Sequence, residues 1–541
     1  YFKVYRHSTK CVSVVGSLRK KALGTCSMAQ EDGTRQVKQP TWLLALLLLI
    51  SAIGPAQGDA TDEPVVLTEA PGFHRATTDA EMAPIYRDNL VADFAPWMGR
   101  KYTVRQLYDL IDTLLKGRPQ KYLSLVVLRH GKVAFLPLAA RPMTLTLSRM
   151  RAIVGGLRNA TAAGLSLPDS LFLMNVWDEG RCSLGQLGRE TGARGSSSSR
   201  ASRSMLSSSV GSGSGSSGSN FDNEVEGSTP NMNVSGSSTG LGSSSSRSLS
   251  STSESTSSSS SSSKKGGPGC PVPLFSLIKS WDYSKNTSKE ADVLLPFFNH
   301  VYGNLVNYPW EKKYDKALMR AALQAQMRPN STRLWILQLQ RSHPQGQRLL
   351  DAGITNNLSK RMKVKLANFV TIPDHARYKY LISADGFTAS CRLGKLMGTN
   401  SVVLKESTPW VEYYYRSLQP GVHFVPFTKD DVLQVLTSLE SDPARCHRVS
   451  AAAQQFAFTF LGQYSKALYV RQAVQMYNSL FEGGGKGGLE AFVEGLGELG
   501  EVDVGGEGGA GEAGGQQRQL TVVELMTRMK AFLEKEERRT M

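Results

Sequence analysis

The segment from Tyr378 to Pro426 constrains the fold more than any other part of the chain. It begins with a short apolar run, Tyr380 to Ile382, which predicts a buried strand. Asp385 and Gly386 interrupt this run as a turn. Ser390 then predicts a helix N-cap, because apolar residues follow it at helical spacing, and a second apolar run predicts another strand. A strand, a short loop, a helix and a strand form half of a nucleotide-binding α/β domain.

The loop and the helix of this unit predict an anion site. Free backbone N–H groups and the helix dipole favour negative charge at a helix N-terminus. Arg392 falls in the first turn of the predicted helix, where a guanidinium would add a bidentate contact to phosphate. The alternative is an ordinary α/β core with a surface arginine, because the loop is poor in glycine.

The same segment is similar to glycosyltransferase family 90, the family of protein O-glucosyltransferases and of capsule-associated xylosyltransferases. The residues that carry the resemblance read YKYLISADGFTASCRL, SVVLKES and WVEYYYRSLQPGVHFVPF. The similarity extends more weakly from Tyr102 to Phe481, apart from one large insert. The resemblance implies an α/β protein of GT-B-like architecture, in which two facing Rossmann-like domains enclose the active site and the donor lies mostly on the second domain.

The composition excludes some classes of protein. The net charge of +17 suits a nucleic-acid binder, but the basic residues are scattered and no nucleic-acid-binding motif is found, so we predict no nucleic-acid partner. A basic surface that suits a sugar-nucleotide donor is the preferred interpretation. No Cys or His pair has the spacing of a zinc site. Cys182 and Cys270 bracket the insert, and a disulfide between them would pin its ends, although spacing alone does not establish pairing.

The beginning of the chain predicts entry into the secretory pathway. Met28 is a plausible start, and the apolar run from Trp42 to Ile53 precedes small residues that end at Gly58, which is the order of a signal peptide. The run is shorter than the roughly 20 residues that span a bilayer, and an uncleaved type II membrane anchor is the alternative. We therefore expect the chain in the lumen of the endoplasmic reticulum or the Golgi, with a membrane as partner only if the segment is an anchor.

The domain organisation follows from shifts in composition. Residues 195–267 are overwhelmingly Ser and Gly and cannot bury enough apolar surface to fold, so we expect a disordered insert. The insert interrupts one domain, because the strand before it and the segment from Pro271 to Ile278 resemble parts of one sheet. The predicted units are an over-extended start plus signal peptide (1–58), a stem (59–100), a first Rossmann-like domain (101–308), a second nucleotide-sugar-binding Rossmann-like domain (309–482), and a Gly/Glu-rich linker with an isolated terminal helix (483–541).

Further elements are predicted from hydrophobic periodicity. In the first domain we expect a hairpin that turns at His130 and Gly131. The other predicted elements are helices over Tyr102–Gly117, Leu145–Leu157, Asp430–Leu439 and Ser450–Phe481, strands over Leu171–Val176 and Leu366–Ile372, and good helix propensity over Lys316–Gln324.

Transfer of a sugar from a nucleotide to a hydroxyl group requires a base that takes the acceptor's proton. Asp178 is the candidate base, because it follows a predicted buried strand, where open α/β sheets place their ligand crevice. The segment from Asn175 to Glu179 resembles the family's Asn-x-x-Asp, whose Asp is the catalytic base, although Gly180 replaces the family's usual Pro. The alternatives are that Asp178 only caps a turn and that Glu179 is the base.

The departing diphosphate requires cations or dipoles, and the resemblance assigns this role to Arg320 and Arg392. Arg392 matches the family's Ser-x-Arg, but the chain reads Met319-Arg320-Ala321-Ala322 where the family reads Phe-Arg-Gly-Ser. Without the Gly, the backbone cannot approach a ligand as closely, and the segment has good helix propensity. The alternative is therefore that Arg320 is a plain helix arginine. The remaining residues of the predicted nucleotide-sugar site are Phe387, Thr388, Ala389, Ser390 and Cys391, with Asp385, Glu412 and His423 in supporting, loop-fixing roles.

The predicted function is inverting transfer of glucose or xylose from a UDP-sugar to a hydroxyl group of protein Ser/Thr or of a glycan. No Asp-x-Asp motif lies at a predicted strand end, so we expect no metal and no cofactor besides the UDP-sugar donor. The alternative function is that of a non-catalytic lumenal binding protein that retains the fold, and the residues around Arg320 are its best support. The sequence names neither the sugar nor the acceptor.

Deletion of residues 195–267 should leave folding nearly unchanged, because the segment has no apolar periodicity that could contribute to a core. We expect the free energy of unfolding to change by about 1 kcal/mol or less, the scale of loop-length entropy. Chemical denaturation of the shortened and complete chains measures the difference, and a clearly larger loss of stability would mean that the insert packs against the rest of the protein.

Overall fold

The computed structural model describes residues 63–182, 270–299, 303–359, 362–482, 488–496 and 520–541. The predicted signal peptide and the Ser/Gly-rich insert lie outside these residues. Within the described ranges, no helix combines the length and the apolar content needed to cross a membrane.

The secondary structure alternates between strands and helices. The strands are β1 (Val65–Leu67), β2 (Leu123–Arg129), β3 (Lys132–Pro137), β4 (Ser170–Asn175), β5 (Phe275–Ser276), β6 (Lys279–Ser280), β7 (Val293–Leu294), β8 (Leu305–Asn307), β9 (Tyr314–Leu323), β10 (Leu350–Asn357), β11 (Tyr378–Ser383), β12 (Val402–Glu406), β13 (Trp410–Val411) and β14 (Val425–Phe427). The helices are α1 (Asp79–Ile85), α2 (Ala92–Phe94), α3 (Val104–Lys116), α4 (Thr144–Ala162), α5 (Thr332–Ser342), α6 (Pro344–Leu349), α7 (Ile372–His375), α8 (Leu393–Met397), α9 (Val432–Glu440), α10 (Pro443–Phe460), α11 (Gln463–Ser479), α12 (Leu489–Glu494) and α13 (Val522–Thr540).

The first sheet is mixed and has the strand order β3-β2-β4-β5-β7. β2 runs antiparallel to β3 and β4, whereas β4, β5 and β7 are parallel to one another. The predicted hairpin is confirmed: its turn residues His130 and Gly131 have φ angles of 48° and 74°, the left-handed values that a tight hairpin turn requires. Because β5 pairs with β4, the chain after the insert rejoins the same sheet, as predicted.

The second sheet is parallel throughout, with the order β10-β9-β11-β12-β14. Its central strands β11 and β12 bury almost every side chain, as expected when helices cover both faces of a parallel sheet. Strands β9, β11 and β12 are followed by loops at the same edge of this sheet, where open α/β sheets bind ligands. The predicted α/β fold class is confirmed, while the predicted domain boundaries stay predictions.

Two predicted elements are wrong. Lys316–Gln324, with its helix propensity, lies largely in strand β9, because pairing with β10 on one side and β11 on the other outweighs a weak local preference. The predicted strand Leu366–Ile372 does not form. Leu366 makes only an isolated bridge to Ile354 and is 55% exposed, so this apolar run lacks the burial that would hold a strand in the sheet.

Segments predicted to lie apart from the domains pack into the core. Residues 79–97, placed in a stem by the sequence, bury Phe94 and Trp97 completely, and the Trp97 indole donates to the carbonyl of Ala291 at 2.8 Å. The terminal helix α13 is not isolated, since Leu525 and Met529 are fully buried in the same hydrophobic cluster. The sequence shows each helix as amphipathic but does not show which surface covers its apolar face.

Asp93 joins three parts of the chain through buried charge. Its carboxylate lies 2.7 Å from the Lys279 ammonium and 2.6 Å from the Arg416 guanidinium, and it also accepts the Leu294 amide at 2.9 Å. Burial alone would raise the pKa of Asp93, but the Arg416 and Lys279 cations outweigh it and lower the pKa. Cys182 and Cys270 form the predicted disulfide, which joins the chain before the insert to the chain after it.

Asp93→Asn should destabilise the protein by about 3–5 kcal/mol, because it leaves two buried cations without their carboxylate. Urea denaturation measures the change. Glu440→Gln, which breaks the exposed Arg348–Glu440 pair, is the matched control and should have a much smaller effect. Equal losses in the two variants would mean that the buried network does not hold these segments together.

Candidate active site

Asp178 lies on the loop that leaves strand β4, and its side chain is buried. Asn175 fixes this loop: its Oδ1 accepts the amide of Trp177 at 3.1 Å, and its Nδ2 donates to the carbonyl of Glu179 at 2.8 Å. The turn therefore sets the direction of the intervening side chains without using the Asp178 carboxylate as a cap. The Asp178 carboxylate remains available for an interaction outside its own turn.

Arg149 of helix α4 supplies that interaction. Its Nη2 lies 2.6 Å from the Asp178 carboxylate, its Nη1 donates to the carbonyl of Val176, and its guanidinium lies 5.0 Å from the ring centroid of Phe297. The guanidinium therefore fixes the direction of the Asp178 carboxylate. Arg149 is not marked by any motif, although an arginine on the buried face of an amphipathic helix is itself a signal of a buried partner.

Gly180 fits where a larger residue would not. A Cβ atom at this position would lie 2.8 Å from Cγ and 2.9 Å from Cβ of Glu290. The Glu290 carboxylate is held in turn by the hydroxyl groups of Ser280 at 2.5 Å and Ser288 at 3.1 Å. The departure from the family's Pro therefore lets the Asp178 loop pack directly on the segment from Ser280 to Glu290.

A second loop, residues 385–392, follows strand β11 and is held by hydrogen bonds from within and from its neighbours. Asp385 Oδ1 accepts the Ser390 amide at 2.8 Å, and the Thr408 hydroxyl donates to the other carboxylate oxygen. The Asp385 amide donates to Glu406 at 2.8 Å, and the Phe387 amide donates to the side chain of Gln324 at 2.6 Å. Asp385 thus fixes the loop, and burial raises the pKa of its carboxyl group.

The predicted N-cap at Ser390 is wrong. Helix α8 begins at Leu393, its N-cap residue is Arg392, and no side chain caps it. The buried Ser390 instead takes part in the loop, where its carbonyl accepts the Tyr415 hydroxyl at 3.2 Å. Thr388 and Ala389 are also buried, so Phe387, Cys391 and Arg392 are the more accessible side chains of the predicted loop.

Arg392 and Arg333 form a pair of neighbouring cations without a carboxylate partner among the described residues. Arg333 donates to the carbonyls of Ala322 at 2.6 Å and Ala384 at 3.0 Å, which follow the cores of β9 and β11. Burial lowers the pKa of Arg392, and burial together with the charge of Arg392 lowers the pKa of Arg333 to about 10. Two such cations at the ligand-binding edge of a parallel sheet can hold an anion. Arg333 was missed because no motif marks it.

Arg320 is not part of this cation pair. Its guanidinium binds Asp351 on the neighbouring strand β10, with Nη2 2.8 Å from the carboxylate and Nη1 2.8 Å from the carbonyl. The Tyr378 hydroxyl donates to the same carboxylate at 2.6 Å. The alternative of a plain helix arginine is wrong as well, since Arg320 is a strand residue in a sheet-spanning network.

Glu412, His423 and Cys391 are the remaining residues of the predicted site. Burial raises the pKa of the Glu412 carboxyl group, with the nearby Lys466 ammonium opposing it. His423 Nδ1 accepts the Gln419 amide at 3.0 Å, which fixes a turn, and burial lowers the pKa of its ring. Burial raises the pKa of the Cys391 thiol to about 11. Within the described ranges, no cluster of three or more His, Cys, Asp or Glu residues could hold a metal ion.

The two loops meet beside one cavity. The rings of Trp177, next to Asp178, and Phe387 lie 6.3 Å apart. A cavity of about 890 Å³ is lined by Ser280 and Ser288, whose hydroxyls hold Glu290 against the Asp178 loop. The lining also includes Glu406 and Thr408, which hold Asp385 of the second loop, whereas Asp178, Phe387 and Arg392 do not line the cavity themselves. The full lining is Ser280–Tyr283, Lys285, Thr287–Lys289, Lys405–Pro409, Tyr415, Arg416, Leu418, Pro420, Phe424 and Pro426.

Comparison with known proteins places this chain near sugar transferases. Residues 288–484 match the family model of glycosyl transferase family 90, which confirms the resemblance over this segment. Protein O-glucosyltransferase 2 of Danio rerio is 32% identical over 177 residues, which are 32% of this chain and 34% of the relative. Protein O-glucosyltransferase 3 of Homo sapiens is 26% identical over 235 residues, 40% of this chain and 43% of the relative.

These matches are partial. The chain spans less than half the length of the curated relatives named above. A solved structure, Anabaena Alr3699/HepE in complex with UDP-glucose, aligns with 28% of this chain and 47% of that chain at 11% identity and a TM-score of 0.23. A structural similarity at that level carries no argument about this chain.

Gly180→Ala should lower stability by about 1–3 kcal/mol, because the added methyl group overlaps Glu290 and forces the cavity wall to shift. Gly155→Ala in helix α4 is the control: nothing lies within 4 Å of the added Cβ, and the change should be neutral or stabilising by about 0.5–1 kcal/mol. Thermal unfolding compares the two. A Gly180→Ala protein as stable as the Gly155→Ala protein would contradict the close packing described here.

Proposed function

We propose that this chain, whose residues 288–484 belong to glycosyl transferase family 90, is an inverting glycosyltransferase that moves glucose or xylose from a UDP-sugar to a hydroxyl group. The observation that carries the proposal is the meeting of two loops from different sheets. One loop holds a buried carboxylate, Asp178, the other leads to an unpaired cation, Arg392, and the rings of Trp177 and Phe387 bring the two loops within 6.3 Å of each other. A base for the acceptor and a cation for the leaving diphosphate are what a direct displacement requires.

Asp178 acts as the general base. It takes the proton from the acceptor hydroxyl as that oxygen attacks the anomeric carbon, and the bond from the anomeric carbon to the UDP oxygen breaks with its electron pair on UDP. One displacement inverts the anomeric configuration and needs no covalent enzyme intermediate. Arg149, 2.6 Å away, orients the carboxylate.

Arg392 and Arg333 stabilise the charge that develops on the diphosphate. Neither guanidinium has a carboxylate partner within the described chain, so both keep hydrogen-bonding capacity for phosphate oxygens. Arg333 takes the role predicted for Arg320, because Arg320 is paired with Asp351. We propose that these arginines serve in place of a divalent ion, so transfer should persist in excess EDTA.

The acceptor and the compartment follow as proposals from the relatives and from the disulfide. The relatives are protein O-glucosyltransferases, which supports glucose as the sugar and a protein hydroxyl as the acceptor. Xylose and a glycan hydroxyl remain the alternatives. The Cys182–Cys270 disulfide supports an oxidising compartment, in agreement with the lumen of the endoplasmic reticulum or the Golgi.

A non-catalytic lumenal binding protein with the same fold is the second candidate. The pairing of Arg320 with Asp351, together with Ala321 and Ala322 in place of Gly-Ser, favours it. A protein of that kind would bind UDP but release none from any UDP-sugar. A donor screen on the purified chain, with UDP release and UDP binding both measured, separates the two candidates.

Asp178→Asn should abolish transfer and leave UDP affinity close to that of the wild type. Asn has nearly the same shape but accepts no proton, and removal of a positioned base costs about 10²–10⁴-fold in rate. Arg392→Ala should instead weaken UDP binding, since a charge-assisted hydrogen bond contributes roughly 1.5–3 kcal/mol. Single-turnover kinetics and calorimetric UDP titration measure the two effects separately.

Glu179→Gln is the matched control for the base. The substitution removes the neighbouring carboxylate but keeps the Glu179 backbone carbonyl, which is the group that Asn175 contacts. The variant should therefore keep most of the activity. If Asp178→Asn retains more than about a tenth of the wild-type rate, above the residual expected without a base, while Glu179→Gln loses it, the base is Glu179 and the assignment to Asp178 is wrong.

A further inference from the structure

We infer that the hairpin from Ser280 to Glu290 builds a pyranose-binding subsite in the cavity, with the ring of Tyr283 as its platform. The inference deepens the proposed function and rests on it, because it assigns a sugar ring to one wall of the proposed active site. The chemistry required is that of a hexose or pentose ring, which presents an apolar C–H face and several hydroxyl groups. Two sugars could supply that ring, the donor sugar of UDP-glucose or UDP-xylose and a sugar of the acceptor.

The hairpin is held in a defined shape. Asp282 and Thr287 exchange backbone hydrogen bonds of 2.7 Å and 3.2 Å, and the Asp282 carboxylate accepts the amide and the hydroxyl of Ser284 at 3.0 Å and 2.6 Å. At its base, the Trp281 amide donates to the carbonyl of Pro409, and β6 pairs with β13. A binding wall made in this way needs little ordering when a ligand arrives.

Two aromatic rings line this wall, but only one is free to contact a ligand. Trp281 is 5% exposed, and the Arg416 guanidinium covers its ring at 4.4 Å from the centroid. Tyr283 is 57% exposed although it lines a concave cavity, and its hydroxyl has no hydrogen-bond partner within the described chain. An exposed aromatic face inside a cavity binds the apolar face of a sugar ring by burying both from water.

The hydrogen-bonding groups beside Tyr283 suit hydroxyl groups more than a diphosphate. Ser407 and Thr287 line the cavity with exposed hydroxyls whose side chains make no hydrogen bond to the described chain. Lys285 is neutralised by Asp282 at 3.2 Å, and the Lys405 ammonium faces the Tyr415 ring at 5.0 Å. The wall therefore offers neutral hydroxyl groups together with the ammonium of Lys289, which also lines the cavity. Of the two arginines without a carboxylate partner, Arg392 lies on the neighbouring loop and Arg333 on helix α5.

The position of Tyr283 fits a ring near the reacting atoms. Tyr283 lines the same cavity as Thr408, whose hydroxyl donates to Asp385 of the loop that leads to Arg392. The far end of the same hairpin, Glu290, packs under Gly180 of the Asp178 loop. The wall that carries Tyr283 thus contacts the Asp178 loop and faces the same cavity as a residue that holds the loop leading to Arg392.

Saturation-transfer NMR on the full chain tests the subsite directly, with methyl β-D-glucopyranoside and methyl β-D-xylopyranoside as probes. Asn286, at the tip of the hairpin, belongs to an N-glycosylation sequon, so the protein is deglycosylated first. We expect at least one probe to bind the wild type, about tenfold weaker binding to Tyr283→Ala, the scale of one aromatic contact, and near-normal binding to Tyr283→Phe, which keeps the ring.

Tyr314→Ala is the matched control, because Tyr314 is 55% exposed but does not line the cavity, and binding should not change. Displacement of the probe by UDP-glucose but not by UDP assigns the subsite to the donor sugar; simultaneous binding of probe and UDP-glucose assigns it to the acceptor sugar.

Failure of both probes to bind the wild type, or equal binding to Tyr283→Ala, overturns the subsite. A parallel loss of UDP affinity in Tyr283→Ala would also overturn it, by making the wall a nucleotide site. Absence of UDP release with intact, Tyr283-dependent probe binding would instead refute only the proposed transferase.

Discussion

The buried carboxylate of Asp93 is the interaction on which the arrangement of the two sheets depends. It binds Lys279 from the start of the hairpin and Arg416 from the turn after β13, so one charge ties the N-terminal segment to both sides of the cavity. Burying three charges is costly, and the cost is offset only because each has close partners. The same Arg416 covers the ring of Trp281, so the network that joins the two halves also shapes the cavity wall.

This dependence explains which parts of the molecule could be predicted from the sequence. The hairpin at His130 and Gly131 and the strand before Asp385 follow from local residue patterns, and the structure agrees with them. The helix propensity around Arg320 misleads, because pairing with two neighbouring strands decides the conformation there. The predicted Ser390 cap is wrong because Ser390 belongs to the loop, where Asp385 accepts its amide, and helix α8 begins only at Leu393.

The candidate site divides in the same way. A resemblance in short motifs was sufficient to select Asp178 and Arg392, and the structure brings their loops together through Trp177 and Phe387. Arg149 and Arg333 were not selected, because their importance lies only in contacts with residues distant in the sequence. A motif marks the residue that would perform the chemistry. The residue that orients it, or that adds a second cation beside it, is identified only from contacts in the folded chain.

Arg320 and Arg392 differ in whether a carboxylate pairs with them, and their positions in the parallel sheet explain the difference. Arg320 lies within strand β9, next to strand β10, and the nearest acceptor is the Asp351 carboxylate, so its hydrogen bonds are spent on holding two strands together. Arg392 lies beyond the end of β11, where no carboxylate of the described chain pairs with it. An arginine that is already paired must lose that partner before it can bind phosphate, whereas an unpaired one loses only water. Arg392, at the edge of the sheet, can therefore bind a diphosphate at a lower cost in free energy than Arg320 can.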